Sequence, residues 1–467
     1  MAPNPLNDSA PRGRRRWAAR VAAFVLCGAD AAAAQTPLPL SFEQAAGQLA
    51  QMSDALAAAD ANTLGKRELS QATRSLRLPE VSIDAREMKY QKTLEVPLGA
   101  AAPLLQPFGV PDPLRLTQGG WRFRPTLAAT MPLYTGGQIS AAQAASDAAV
   151  RQAEAEREST AQTQTLQLVQ AYFGQQLAAR ALAVRADVQS GLERHLQDAE
   201  ALERNGMATR AQRLQATVAR DQAVRDREKA TGDLDTLRAT LARLLRSAQP
   251  IEPRTPLFVL SGPAGSLEQF QQAARDQHPQ LAKLRAQIQQ AEQGVRVQEG
   301  KLKPQVYLFA QRDLYRRDAM LTDADWALGI GVKFTLLSPS DRPRQIDAAR
   351  AQQQQAEAGL REAENQVAIG VTQAWNQVET ARKQFALLDS SLEQTRENLR
   401  LQTLSFREGQ ATSLDVIDAR LRLGGAEIDR AQAAYQYDVA LAQLLEVSGQ
   451  IARFSDYLQR ADKVIAP

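Results

Sequence analysis

The sequence predicts an α+β membrane protein with a two-fold internal repeat, each half joining a β-hairpin to a very long α-helical coiled-coil hairpin. Three observations predict it: a duplication running through most of the 467 residues, two long proline-free stretches, and alternating apolar segments just ahead of each stretch. Each half is too long to be a solenoid repeat, so the chain reads as two similar units.

The duplication is carried by matched residues. Gln152–Ala153–Glu154–Ala155 reappears as Gln355–Ala356–Glu357–Ala358, and Gly206, Ala208, Thr209 and Ala216 reappear as Gly409, Ala411, Thr412 and Ala419, all at an offset of 203. Earlier in each half the offset is 225, as in Ser41–Phe42–Glu43 against Ser266–Leu267–Glu268 and Pro79 against Pro304, so 22 extra residues lie between Pro79 and Leu133. The boundaries that follow are a signal peptide over 1–34, a first repeat over 35–250 and a second over 251–467. Each repeat reads as a helix, then a β-hairpin (about 79–133, about 304–336), then a long α-hairpin (about 137–248, about 343–449).

The amino terminus has three parts. Arg12 to Arg20 are basic, Val21 to Ala29 are apolar, and Ala31–Ala32–Ala33–Ala34–Gln35 offers small residues for cleavage after Ala34. This is the pattern of a secretory leader. Leu26 before Cys27 does not suit lipoprotein processing, and the flanks of Arg14–Arg15–Arg16 do not suit twin-arginine export. Five arginines against two aspartates in this leader carry most of the chain's net charge of +4, so the basic balance argues for no nucleic-acid partner. One cysteine and two histidines exclude an internal disulfide and disfavour a metal centre. No cofactor and no enzymatic site is expected: a nucleophile–base cluster, metal-ligand spacing and a glycine-rich phosphate loop are all missing.

Of 22 prolines, none lies between Leu133 and Gln249 or between Arg344 and Ala466. Proline breaks helix interiors, and these stretches are rich in Ala, Gln, Glu, Arg and Leu, so both are helical. Asn205–Gly206 and Glu408–Gly409 supply one turn in each. The outgoing arm of about 65 residues would measure about 100 Å, a length that needs neighbours throughout. Val367, Val371, Ala374, Val378, Ala381, Phe385, Leu388, Leu392 and Leu399 recur at coiled-coil spacing, and Ile417, Leu421, Ile428 and Tyr435 continue a stripe on the returning arm.

Ahead of the helices, Val81, Ile83 and Ala85 alternate with Ser82, Asp84 and Arg86. Trp121, Phe123, Leu127 and Met131 alternate with Arg122, Arg124, Thr126 and Thr130. In the second half Val306, Leu308 and Ala310 face Trp326, Leu328, Ile330, Val332 and Phe334, the latter alternating with small or polar residues. Alternation over about 9–11 residues is the pattern of transmembrane barrel strands, and no run of 18 apolar residues offers a helix span. Four strands cannot close a barrel, and an open edge leaves unpaired backbone groups in lipid, so several chains must pool their strands.

This exported architecture resembles the TolC family of outer-membrane efflux proteins, and Gly409–Gln410–Ala411–Thr412–Ser413–Leu414–Asp415–Val416–Ile417–Asp418–Ala419 resembles the family's segment after the second helical tip. The resemblance implies a homotrimer, with a 12-stranded β-barrel (four strands per chain) in outer-membrane lipid and a periplasmic helical tunnel. It implies a passive exit duct for drugs or other small molecules, docked to a periplasmic adaptor (membrane fusion protein) and an inner-membrane RND or ABC transporter. Type I protein secretion and, less favourably, a periplasmic coiled-coil structural role are the alternatives.

The resemblance also implies site residues. Asp415 and Asp418 share a helix face and would ring the narrow entrance, raising one another's pKa; the plain alternative is an acidic helix start favoured by the macrodipole. Phe406 stands where such channels carry a Tyr, and Gln212 and Ala411 stand near positions of an Asp and an Arg, so that polar lock cannot form. Either the constriction at Asp415, Asp418, Phe406 and Gln212 is looser, or Arg210 or Arg213 pairs with Asp415. The tips Gly206, Met207, Gly409 and Gln410 are the expected adaptor-docking surface. Trp121 and Trp326 are expected at the membrane interface, or else in a packed core. His195 and His278 receive no role.

Overall fold

The computed structural model describes residues 37–315 and 324–466. The leader expected over 1–34 lies outside the described residues. In chain order the elements are β1 (Leu38–Leu40), α1 (Phe42–Met52), α2 (Asp54–Arg74), β2 (Glu80–Val96), α3 (Ala102–Leu105), β3 (Leu114–Tyr134), α4 (Gln138–Arg204) and α5 (Arg210–Leu244). There follow β4 (Ile251–Pro253), β5 (Leu257–Val259), α6 (Leu267–Gln277), α7 (Pro279–Gly300), β6 (Gln305–Asp313), β7 (Trp326–Lys333), α8 (Arg342–Arg407), α9 (Ser413–Val447), α10 (Phe454–Gln459) and β8 (Lys463–Ile465).

The long arms α4 and α8 run unbroken for 67 and 66 residues, about 100 Å each. Their return arms α5 and α9 are only 35 residues each, so they flank half of that length. The other half is covered from the opposite end, where α2 lies along α4 and α7 lies between α4 and α8. The helix expected at the head of each repeat is therefore two. Ser53 caps α2 through Leu56 N, and His278 caps α7 through Nδ1 to Gln280 N at 3.1 Å. The repeat extends to the caps: Ser41 with Gln44 and Ser266 with Gln269 form matching capping boxes on α1 and α6.

Where the two sets of helices overlap lies the main core. Phe42, Tyr172, Phe173, Phe258 and Phe454 interlock edge to face or tilted, with ring centroids 5.1–6.0 Å apart. Short strands belt this region: β1 pairs with β4 in parallel and β5 with β8 antiparallel. Helix side chains satisfy the belt's free carbonyls, Tyr172 Oη donating to Leu40 O (2.7 Å), Gln175 to Ile251 O and Gln176 to Pro253 O. The coiled-coil seam of α8 is buried at Val371, Ala374, Val378, Ala381, Phe385, Leu392 and Leu399. On α9 the predicted stripe holds at Ile417, which is buried, and at Ile428, which packs against the same cluster, while Leu421 is exposed; toward the belt the buried face runs through Ala434, Tyr437, Leu441 and Leu445.

β2, β3, β6 and β7 form one sheet in that order, all neighbours antiparallel. Thus the two hairpins lie side by side, β3 against β6. Val81, Ile83, Leu127, Trp121, Phe123, Leu328, Ile330 and Val332 project from one face, all at least 36% exposed. The first hairpin is longer than its alternation predicted: 17 residues of β2 pair with β3 without interruption, from Glu80↔Thr130 to Val96↔Leu114. No described helix is long and apolar enough to cross a membrane.

Asp438 sits fully buried in the belt core, where Oδ2 accepts Phe258 N–H at 3.4 Å and Oδ1 has no partner. Burial raises its pKa well above the carboxylate range. The folded state therefore holds a proton that the unfolded chain releases, and this group's contribution to stability falls as pH rises above about 4. Asp438→Asn removes the titration while keeping the acceptor for Phe258. Thermal unfolding of the purified protein should show the variant's midpoint gaining several degrees on the wild type between pH 5 and pH 8.

Candidate functional site

Two regions carry the chemistry, the apolar sheet face and the helical tips at the far end of the arms. On the sheet, Trp121 and Trp326 are each 68% exposed, so neither is a core residue. Both project from the apolar face, Trp121 opposite Lys89 and Trp326 opposite Arg312. Each faces a charged residue on the paired strand. An exposed apolar surface of this extent marks a face that lipid or protein covers.

The tips are two copies of one turn. In the first, Met207 N–H reaches Leu202 O (2.8 Å) and Gly206 N–H reaches Glu203 O (3.0 Å); in the second, Gln410 N–H reaches Ser405 O and Gly409 N–H reaches Phe406 O at the same distances. This is the Schellman closure, with Gly206 and Gly409 left-handed at φ 71° and 74°. Three residues on, Thr209 with Gln212 and Thr412 with Asp415 form capping boxes. Gly206, Met207, Gly409 and Gln410 are all exposed at the turns.

The capping boxes redefine two candidate pore residues. Gln212 Oε1 accepts Thr209 N–H at 2.7 Å, so its side chain holds a helix start. Asp415 Oδ2 accepts Thr412 N–H (2.7 Å) and the Thr412 hydroxyl (2.6 Å). The hydroxyl first, and the N–H second, hold the Asp415 carboxyl below the usual carboxylate range; within one chain the shift is opposite to the one a ring of charges would impose. Asp415 and Asp418 are both exposed.

Phe406 requires a correction. It is 4% exposed and packs with Ala199, Ala216 and Val416, so its ring is inside the joint of the two hairpins and not on a pore wall. The Arg213–Asp415 pair is also not formed: Arg213 binds Glu203 across its own turn at 2.7 Å. Arg210 is exposed and makes no ion pair among the described residues.

What joins the tips instead is a residue to which the sequence gave no role. His195 of α4 is 5% exposed, its ring centroid 4.8 Å from that of Phe406 and Nε2 2.7 Å from Ser413 Oγ at the start of α9. Ser413 in turn reaches Gln212 O of α5 at 3.5 Å. Around this contact, Arg407 of α8 pairs with Asp198 of α4 (3.3 Å) and Arg420 of α9 with Asp187 of α4 (3.6 Å). A further feature unread in the sequence lies alongside, an apolar groove between α5 and α9 lined by Leu214, Val218, Leu414, Ile417 and Leu421.

Residues 271–450 match the family described as outer membrane efflux protein. The outer membrane efflux protein BepC of Brucella suis biovar 1 (strain 1330) is 26% identical over 249 residues, 53% of this chain and 54% of that protein. The matched chain thus spans about half the length of that curated relative. Among solved structures, the outer membrane protein VceC of Vibrio cholerae superposes with a TM-score of 0.71 at 16% identity, covering 88% of this chain and 96% of that one. The open state of the MtrE outer membrane channel of Neisseria gonorrhoeae gives 0.68 at 18% identity, covering 88% and 89%. The CmeC outer membrane channel of Campylobacter jejuni gives 0.68 at 12% identity, covering 90% of each. These likenesses show that the fold is shared. Over residues 271–450 the chain is thus similar to the outer membrane efflux proteins, and across nearly its whole length it shares the fold of solved outer-membrane channels.

Burial lowers the His195 pKa, with Arg420 adding to the shift and Asp198 opposing it. A histidine depressed in the fold contributes stability that is complete above about pH 6.5 and is lost as pH falls. Once exchange is corrected for its intrinsic base-catalysed rate, the protection of the tip amides should therefore fall between pH 7.5 and pH 5.5 in the wild type. His195→Gln, which can still bond Ser413, should flatten that dependence; an unchanged pH response would show that His195 does not govern it.

Proposed function

We propose that this chain, as a homotrimer, is the outer-membrane exit duct of a tripartite efflux system. One observation supports this most: the four-stranded sheet has an apolar outer face and ends in two edge strands, β2 and β7, that no strand among the described residues covers. In lipid each unpaired backbone group costs several kcal/mol, and only a closed barrel removes the cost. Three copies supply twelve strands, with β2 of each pairing to β7 of the next. The same threefold arrangement sets three pairs of helical hairpins into a tunnel about 100 Å long, and its ring contacts cover the apolar groove of α5 and α9.

In this reading the sheet end opens to the outside and the tips point toward the inner membrane. The turns at Gly206, Met207, Gly409 and Gln410 receive a periplasmic adaptor. An RND or ABC pump then drives drugs or other small molecules through a duct that itself does no chemistry. Asp415 and Asp418 from three chains place six carboxylates about the axis at the entrance. Such a ring favours cations and binds multivalent ones strongly enough to block flow.

Bilayer recordings of the purified protein test this. Wild type should conduct as a trimer and be blocked by a trivalent cation from the tip side. In Asp415→Ala/Asp418→Ala conductance should rise and the block should weaken at least about tenfold, as expected for losing charge from a selectivity ring. Unchanged block would remove both residues from the duct.

A further inference from the structure

The long first hairpin carries a feature that the transport reading does not use. From Glu80↔Thr130 up to Lys89↔Trp121 the apolar side chains Val81, Ile83, Ala85, Leu127, Phe123 and Trp121 share one face, which gains charge only at Glu87 and Lys89 near its upper end, and Arg86, Arg122 and Arg124 lie on the other with Met88. Beyond Trp121 the two faces exchange character. Over the seven pairs from Tyr90↔Gly120 to Val96↔Leu114, the former apolar face carries Gln91, Thr93, Glu95, Arg115 and Thr117. The former polar face carries Tyr90, Leu94, Val96, Leu114 and Leu116, broken only by Lys92↔Gln118. The new polar face pairs within itself: Glu95 binds Arg115 at 2.9 Å, and the Thr93 and Thr117 hydroxyls meet at 3.3 Å. Leu116 and Val96 stand 49% and 37% exposed, and the connection above them exposes Leu104 and Phe108 at 74% and 82%.

Side chains alternate strictly along a strand, so a change of face cannot come from twist alone. Below Trp121 the apolar face meets lipid, and the opposite face lines the barrel. Above Trp121 the apolar residues are therefore on the axis side, pointing away from lipid. β6 ends at Asp313, opposite Thr126, so among the described residues this ribbon rises as two strands without a third strand beside it. Such a ribbon is marginal alone and needs a surface to pack on. Gly119 and Gly120 lie where the faces exchange, and Gly120 has φ 149°. Paired glycines within a strand permit a sharp bend there.

We propose that the three ribbons fold over the outer mouth of the barrel and pack Tyr90, Leu94, Val96, Leu114 and Leu116 against one another on the axis, an apolar seal at the opposite end from the tips. The inference rests on the trimeric reading above. Its occupant is a second and third copy of the same ribbon, which among the described residues present a matching apolar surface across the axis from it. The reach suffices. Twelve tilted strands give a barrel radius of about 12 Å, and seven residue pairs extend about 20 Å. The 22 residues that the first half carries beyond the second lie in the same interval, between Pro79 and Leu133. Cargo would part the ribbons by rotation at Gly119–Gly120.

Cross-linking reads this directly. With Cys27, the chain's one cysteine, replaced by serine, Leu116→Cys and Thr117→Cys place a thiol on the axis face or the opposite face of the same ribbon. Full-length trimers in detergent, oxidised with copper phenanthroline, should give covalent dimers for Leu116→Cys and monomers for Thr117→Cys on denaturing gels. In bilayers, Leu94→Glu/Leu116→Glu should raise the open fraction at least about twofold, as charge forced into an apolar constriction wets it, while Thr93→Glu/Thr117→Glu should match wild type. Equal cross-linking on both faces, or none in an intact conducting trimer, would overturn the seal and leave the channel reading standing. A monomer by light scattering in detergent would overturn both.

Discussion

The structure turns on a shortage of hydrogen-bond partners. One chain brings four strands, and their outer edges cannot be left open in hydrocarbon. Every other feature accommodates that shortage. In the proposed homotrimer a sheet completed by identical neighbours sets the helices beneath it into the same rotational arrangement, because Tyr134 at the end of β3 and Gln138 at the start of α4 are separated by a three-residue turn. In that assembly the barrel's symmetry would pass to the helices through this short connection. The periplasmic arms need no separate specification of their number.

Length poses the second problem. A 67-residue helix cannot be stabilised by its own propensity and must be packed along its whole course. The chain meets this with two overlapping sets of shorter helices, α5 and α9 from the tips and α2 and α7 from the sheet, and it concentrates aromatic residues where the sets meet. Phe42, Tyr172, Phe173, Phe258 and Phe454 interlock there and tie the two sets together. The buried Asp438 lies in the belt core, next to the strand that Phe258 anchors. A polar group so placed favours one register of α9 against β5, since any shift would leave it without its one donor.

The large features were legible because each has a long-range signature. Missing prolines mark arms of 66 and 67 residues without reference to tertiary structure, and the offset of 203 aligns tip with tip so closely that Thr209–Gln212 and Thr412–Asp415 prove to be the same capping box. Short or context-made features were not legible. β1, β4, β5 and β8 are three residues each, too brief for any period to register. The length of β2 and β3 escaped because the alternation that identifies a strand changes face beyond Trp121. Phe406 was misplaced since a single aromatic near a turn suits a pore wall and a packed joint equally, and only its 4% exposure separates them. His195 gave no signal, because its partner Ser413 is 218 residues away.

The same joint decides how the tips are held. Surface pairs such as Arg407–Asp198, with side chains 64% and 40% exposed, contribute at most about 1 kcal/mol and weaken with salt. The Phe406, Ala199, Ala216 and Val416 cluster is dry, and the His195–Ser413 bond within it is shielded from ions. Where a polar lock would respond to ionic strength, an apolar joint built around one neutral imidazole responds to protons. Its strength comes from burial, which salt does not screen, and its weak point is the one buried group that can gain a charge. Mechanical force from a docked partner would therefore act against packing, a short-range interaction lost within the first ångström or two of separation, so the joint should open as a switch and not as a graded iris.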